Sequence, residues 1–598
     1  MTVLAGYVGV LAACGVALYF LGLPWRVLLR AKDPFGERTM LLGLSVLVGV
    51  TWQWADLTGK GISTCLWLLA ALNLPAFAWA VRRTWSGWRT LLARALPTVG
   101  AGAACLAVFA TYYRDALGGG RPYPVSLSNN DLPYYAIMGR HLIHDGLAAH
   151  GAIVGANFGD YLRADVFGSF DEIGAAAYLV HQPTSVVLMP LLVLSMLLTV
   201  LGLARIIGHL TRLPVVVALA AGLLTCSSSL YFYSVGQGFF SQLIAVPLFV
   251  ALLALLLERV TGPDLPLTPA GIFPSALEYG WYVVGLVCVY PHMAFLGVPV
   301  LLSIVITAAF VGSRPLWATT ARTLAVVGGG FVVSLLLDGS RVIDGARRSF
   351  LVGGSSGGWG FDRITVSQIL GLSQFPHQRA LTSQAPAYGK HLLALNPVLL
   401  LLLVLAGALL AVGLRLLGAR RSAAVRDLVG WGVAGLATVL ATYYLLFALA
   451  GKTYLAWKWL SFFQPVALAF VLTGVAAVAW NLAGRLPVRA RTCATVLPLA
   501  VLLPLMLAPT RLEHPLQVTG FLTALPQAPA LAGADVVNVD ARTRGKFWDA
   551  MWAGYLLGPK RVIFVSLTYW PAQPADPRYP TLVILPGNTF RVEPAVSP

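Results

Sequence analysis

Residues 185 to 207, SVVLMPLLVLSMLLTVLGLARII, decide the fold. The stretch carries a single charged side chain, Arg205, near its far end. About twenty apolar residues cross a hydrocarbon core of about 30 Å as a helix, and only a helix satisfies its own backbone there without partners. The stretch therefore reads as a transmembrane helix. Working outward, similar stretches recur at 2 to 23, 39 to 55, 62 to 81, 94 to 113, 213 to 232, 240 to 257, 276 to 290, 293 to 311, 321 to 337, 396 to 417, 428 to 449, 463 to 483 and 492 to 508. The chain is expected to be a polytopic α-helical membrane protein with about fourteen transmembrane helices.

Its 598 residues are 58% hydrophobic and 11% charged, with mean hydropathy +0.78, too apolar for a chain whose whole surface meets water. Basic residues collect in alternate loops. Arg26, Arg30, Lys32 and Arg38 follow the first span, Arg82, Arg83, Arg89 and Arg94 the third, and Arg205 with Arg212 the fifth. Arg314 and Arg322, then Arg415, Arg420, Arg421 and Arg426, then Arg485, Arg489 and Arg491 continue the alternation. Basic loops stay on the cytoplasmic side, so both termini are expected outside the cytoplasmic membrane. The net charge of +18 then belongs to loops that meet anionic headgroups, and nucleic acid is not an expected partner. The first span has no basic residue before it and no cleavage pattern after it, which reads as a retained anchor. All six cysteines fall in or beside spans, so no disulfide or zinc framework is implied. The Ala, Leu, Val, Gly and Arg bias suggests a bacterium of high genomic GC.

Three stretches on the outer side are long: 114 to 184, 338 to 395, and a tail from 509 to 598. The first contains Asp131-Leu-Pro-Tyr-Tyr-Ala-Ile-Met-Gly-Arg-His-Leu-Ile-His, expected to form a surface helix with Asp131 as its N-cap. The tail reads as a small C-terminal extracytoplasmic α/β domain, with strands at 535 to 539, 561 to 567 and 581 to 585 and a helix at 547 to 557. It shows no nucleophile, metal-ligand spacing or phosphate loop, and a lid or docking surface is its expected role. Eight of the nine histidines lie on the outer side, while the spans hold almost no ionisable residue at mid-depth. Ion-coupled transport, which needs such residues, is disfavoured.

Asn130-Asp131, Tyr134-Tyr135 and Gly139-Arg140 lie in a long outer segment that follows a span directed outward; six spans and a second long outer segment come after. This order resembles the GT-C superfamily of membrane glycosyltransferases. The resemblance implies a GT-C-like core from 94 to 508, preceded by N-terminal transmembrane helices over 1 to 93, with Asp131 as catalytic base. It further implies a polyprenyl-phosphate-linked sugar as donor, with mannose or arabinofuranose plausible, and an envelope glycan or glycolipid as acceptor. The segment 338 to 395 would border the two pockets. Three spans precede the proposed core and no outer Asp-x-Asp pair is present, so the alignment is loose and a divalent metal is optional.

The leaving phosphate needs cations, and Lys452, Lys458 and Arg363 are placed to supply them. For Lys458, flanked by Trp457 and Trp459, an interfacial anchor is the equal alternative. Tyr134, Tyr135, Arg140, Asp171, Glu172, His181, His292 and Trp359 are further candidates for substrate contact; a helix cap for Asp131 and a satisfied loop network for Asp171, Glu172 and His181 are the plain alternatives. Two other functions fit the outline: a flippase for lipid-linked oligosaccharides, which would line its spans with cations, and a non-catalytic envelope-assembly protein whose tail binds a partner.

Overall fold

The computed structural model describes residues 2–31, 33, 36–85, 88–113, 125–126, 131–164, 166–211, 213–261, 268–291, 316–354, 453–507, 516–518, 520–540, 547–565, 573–585 and 589–596. The spans expected at 293–311, 396–417 and 428–449, together with Lys452, Arg363, His292 and Trp359, lie outside these residues.

The helices α1 (Thr2–Leu28), α2 (Glu37–Thr58), α3 (Ile62–Thr84) and α4 (Trp88–Tyr112) follow the first four expected spans. Three shorter helices fill the segment after α4: α5 (Asp131–His144), α6 (Phe158–Ala164) and α7 (Phe167–Val180). Then come α8 (Thr184–Thr211), α9 (Val215–Cys226), α10 (Ser229–Gln237), α11 (Phe240–Thr261), α12 (Pro269–Val289), α13 (Leu316–Gly354), α14 (Thr453–Leu482) and α15 (Val488–Leu507). Among the described residues nine helices are long and apolar enough to cross a membrane.

The core is organised around α11, whose apolar stretch is wholly buried, and α8, whose stretch is nearly so. In contrast α1, α3, α4 and α13 have most of their apolar stretches only partly buried or exposed. The helices before the proposed core belong to the same body. α1 and α2 cross so closely that a Cβ on Gly22 would lie 1.8 Å from the Thr39 carbonyl oxygen, and one on Gly43 would lie 1.9 Å from that of Leu18. Small residues at such a crossing let helix backbones touch without a hydrophobic drive between them.

One end of the bundle is sewn together by charge. Arg26 at the end of α1, Arg38 at the start of α2, Arg205 late in α8, Glu258 late in α11 and Glu278 in the first half of α12 meet there. Three of the basic residues expected on one face thus share one end. Glu258 and Glu278 as their partners were not expected.

Two expectations need correction. The span at 213–232 is not one helix: it breaks at Ser227 and Ser228, and the Ser228 side chain accepts from the Tyr231 N–H to start α10. At ~1.5 Å per residue, α9 alone is too short to cross. The segment from 338 does not open as a loop either, since α13 breaks at Asp338 (φ −157°, ψ 75°) and resumes as helix to Gly354.

The tail forms a four-stranded sheet in the order β4-β3-β5-β6, from β3 (Val536–Asp540), β4 (Arg561–Phe564), β5 (Thr581–Leu585) and β6 (Thr589–Glu593). β3 is parallel to both β4 and β5, and β6 closes antiparallel on β5. The short helix α16 (Gly520–Ala524) precedes it, and α17 (Phe547–Leu556) connects β3 to β4. β6 was not expected. The tail is joined to the α4–α5 segment by β1 (Val125–Ser126) pairing antiparallel with β2 (Leu516–Gln517). A second join is made at the β4 edge, where Val154 N–H donates to the Val562 carbonyl at 2.8 Å and Val562 N–H to that of Ala152 at 2.8 Å.

Candidate functional site

α5 carries most of the expected site residues, and its helical period separates them. Asp131 is its first helical residue, one position inside the expected cap, where a carboxylate is favoured by the helix dipole. Tyr134 and Tyr135, three and four residues on, share its side of the helix. Arg140 falls half a turn away, on the opposite face.

The Asp131 side is locked against α11. Tyr135 OH and Ser241 Oγ are 2.5 Å apart, and the Tyr134 and Tyr135 rings pack on Phe170 at 5.3 and 5.4 Å. Next to Asp131, Leu132 is fully buried against the turn between α10 and α11. Gly238 in that turn has φ +70°, and a Cβ there would lie 2.5 Å from Leu132 Cγ, so both backbone conformation and space require glycine.

The following residue, Phe239, lies under Lys458, with Nζ 4.2 Å from its ring centroid and 5.8 Å from that of Tyr290. Lys458 sits in the first turns of α14, tied to α11 by the Gln242 amide donating to Ser461 Oγ at 2.8 Å. Trp459 is fully buried, which places it in the core and not at a bilayer interface. Leu132, the neighbour of Asp131 in the chain, and Lys458 therefore reach the same turn, Gly238–Phe239, from α5 and α14. No signal in the sequence beyond Gly238 pointed to Phe239.

The remaining candidates go elsewhere. Arg140, expected at the substrate, instead donates to the Tyr555 carbonyl at 2.8 Å and lies 4.7 Å over the Tyr555 ring, holding α17 of the tail on α5. Arg140→Ala is expected to loosen this docking and to speed limited proteolysis of the 508–520 connection several-fold; unchanged cleavage would show that the strand pairings alone hold the tail.

Asp171 and Glu172 sit not in a loop but on α7, which at 14 residues is too short to span the membrane. Asp171 accepts from the Thr51 hydroxyl at 2.8 Å, while Glu172 turns into a cleft that His181 also lines. Burial pushes both carboxyls up to about 8; the Asp171 charge adds to the shift of Glu172, and the Thr51 hydrogen bond opposes that of Asp171. A carboxyl raised on folding stabilises the fold below its unfolded value near ~4 and loses that contribution as pH rises through about 8. Glu172→Gln should accordingly flatten the fall in melting temperature between about pH 5 and pH 9; an identical fall in wild type and variant would assign the pH dependence to other groups.

The sequence reading also missed Arg341, buried beyond the break in α13. Its guanidinium lies 4.5 Å over the Trp52 ring and donates to the Arg163 carbonyl at 2.9 Å. Helix resuming after Asp338, where a loop was expected, was the signal needed to find it. Arg341, Lys458 and Tyr290 lie at the end of the bundle away from the Arg26–Glu278 cluster. Among the described residues no three His, Cys, Asp or Glu side chains are grouped to hold a metal ion.

No protein-family model matches the chain, and no curated protein matches it. Comparison with solved structures does return a partial match. The chain is similar to an archaeal oligosaccharyltransferase. The match, to the Archaeoglobus fulgidus enzyme in its apo form, covers 81% of this chain at 15% identity and a TM-score of 0.44. It spans 65% of that enzyme's length. At this level of similarity no residue here takes its role from that protein.

Proposed function

We propose that this chain is a membrane glycosyltransferase of the GT-C type, moving a sugar from a polyprenyl-phosphate donor onto an envelope glycan or glycolipid at the outer face of the cytoplasmic membrane. The observation that carries the reading is the Gly238–Phe239 turn, met by Leu132, next to Asp131 in the chain, and by Lys458, which puts the helix start that bears a carboxylate and a cation on one turn of an apolar bundle. The order of spans and outer segments in the sequence supports it.

The reaction asks little else of the protein. The acceptor O–H gives its proton to an Asp131 carboxylate oxygen as the oxygen bonds to the anomeric carbon. The bond from that carbon to the phosphate oxygen breaks, and the electron pair leaves with the phosphate, whose charge the Lys458 ammonium stabilises. Held over two aromatic faces, the ammonium is pre-positioned. Lys452 and Arg363 would add to this cationic side, and mannose or arabinofuranose would be the transferred sugar.

The test is transfer by the purified full chain in vesicles, using a synthetic polyprenyl-phosphate mannose or arabinofuranose and an extracted envelope glycan. Wild type is expected to produce elongated glycan, and Lys458→Ala to lower kcat/KM for donor by about ten- to a hundredfold, the loss of one charged hydrogen bond. Lys458→Arg should recover part of it. Equal rates in wild type and Lys458→Ala would remove Lys458 from the donor site.

A further inference from the structure

A second site lies apart from the Asp131–Lys458 pair. Between α1, α2, α3 and α7 there is a cleft of about 260 Å³, walled by apolar side chains that include Leu18, Leu47, Leu66 and Ala176. It is larger than the ~150 Å³ engineered apolar cavity that stays dry and admits benzene, so a hydrocarbon segment fits and water gains little by entering. Its α3 wall faces outward: Trp67 is 68% exposed and Leu72 75%, as side chains in contact with lipid are. A hydrocarbon chain can therefore reach the cleft sideways from the bilayer.

The cleft has a polar head. Glu172 is buried to 6% exposure and points into it, and its Oε2 has no hydrogen-bond partner among the described residues. Tyr178, also on the wall, accepts from the Trp67 indole N–H at 2.9 Å. His181 stands at the mouth, in the left-handed conformation that ends α7. A buried polar oxygen left unmatched is costly and calls for a donor. Among the described residues the lining contains no Lys or Arg, so a phosphate headgroup would meet a carboxyl with no cation there to offset it. The raised Glu172 carboxyl is largely neutral near pH 7, which favours an uncharged donor over an ammonium.

We propose that this cleft binds an uncharged membrane lipid with a hydroxyl head, its chain lying between α1 and α3 and its hydroxyl donating to Glu172 Oε2. This site is separate from the donor-phosphate site and does not depend on the glycosyltransferase reading. It would couple lipid occupancy to α5, because α7 packs directly on that helix, with the Gly139 carbonyl 2.9 Å from where a Cβ on Gly174 would lie.

The experiment is photolabelling of the full chain in phosphatidylcholine vesicles with a diazirine analogue of hexadecanol, read by peptide mass spectrometry. Label is expected on α1, α3 and α7 peptides, competed by hexadecanol but not by hexadecane or hexadecylamine. Glu172→Leu should lower the competed label by about fivefold or more, and Glu172→Gln should retain it. Ala70→Trp, which fills the cleft from the lipid-facing helix and spares the core, should abolish it even if Glu172→Leu folds poorly. Label that hexadecanol does not compete, label equal in Ala70→Trp and wild type, or competition by hexadecylamine matching that of the alcohol would each overturn the assignment.

Discussion

Asp131→Asn should cut sugar transfer by about 10²- to 10⁴-fold, the usual contribution of a positioned general base. The substitution keeps the shape and hydrogen-bonding capacity of the side chain at the first turn of α5. Removing its charge there costs only ~0.3–1 kcal/mol of helix stability, too little to unfold the protein. The rate loss and the stability loss can thus be told apart. In cells whose single copy carries the variant, at wild-type protein level, mass spectrometry should show one polyprenyl-phosphate sugar accumulating and the same sugar missing from the envelope glycan. Unchanged pools would reduce Asp131 to a helix-terminus residue, and the envelope-assembly reading would gain. The nearby Tyr135–Ser241 contact supports the expectation that the backbone at Asp131 stays in place when its charge is removed.

The largest expected effect on stability lies at the other end of the bundle. Glu278 is bound by Arg26 Nη1 at 2.7 Å, by Arg38 Nη2 at 2.5 Å and by the Tyr282 hydroxyl at 3.0 Å, all nearly inaccessible. Glu278→Ala leaves two buried guanidinium groups without their shared anion, and breaking a buried pair from one side costs about 3–5 kcal/mol. We expect little folded protein in the membrane fraction and a lowered melting temperature for whatever is recovered. A matched change of all three groups to apolar side chains of similar volume should restore much of the loss, because the charges are costly to bury in the first place. A Glu278→Ala protein as stable as wild type would show that water or lipid phosphate reaches the two arginines.

The parts of the fold visible in the sequence were those that repeat or alternate. Apolar runs such as 185 to 207 and 240 to 257 became α8 and α11, and the alternating pattern of the tail became β3, β4 and β5 with α17 between. What was lost had local signals too small to outweigh an apolar average. The three serines at 227 to 229 end one helix and start another, yet they sit in a run hydrophobic enough to pass for a single span. Glu258 and Glu278 are single carboxylates at the edges of apolar runs, and their meaning comes from arginines on other helices, Arg205 being 53 residues from Glu258 and Arg26 and Arg38 more than two hundred from their partners. At the candidate site, Asp131 and Lys458 could each be picked out, but not that Leu132 beside Asp131 and Lys458 meet one turn. Arg140 was drawn toward the substrate because its partner, Tyr555, is 415 residues distant.

That distance also bears on how the protein is made. The residues around 125 and 152 to 154 receive their strand partners only from the last hundred residues of the chain. At translation speeds of about 5–20 residues per second, a gap of 415 residues leaves α5 without its covering helix for roughly 20 to 80 s. During that interval the nascent chain holds an uncovered face with open backbone edges, a target for chaperones and proteases on that side of the membrane. A chain that stopped before the tail would leave Arg140 of α5 without its Tyr555 partner and residues 125 and 126 without their strand.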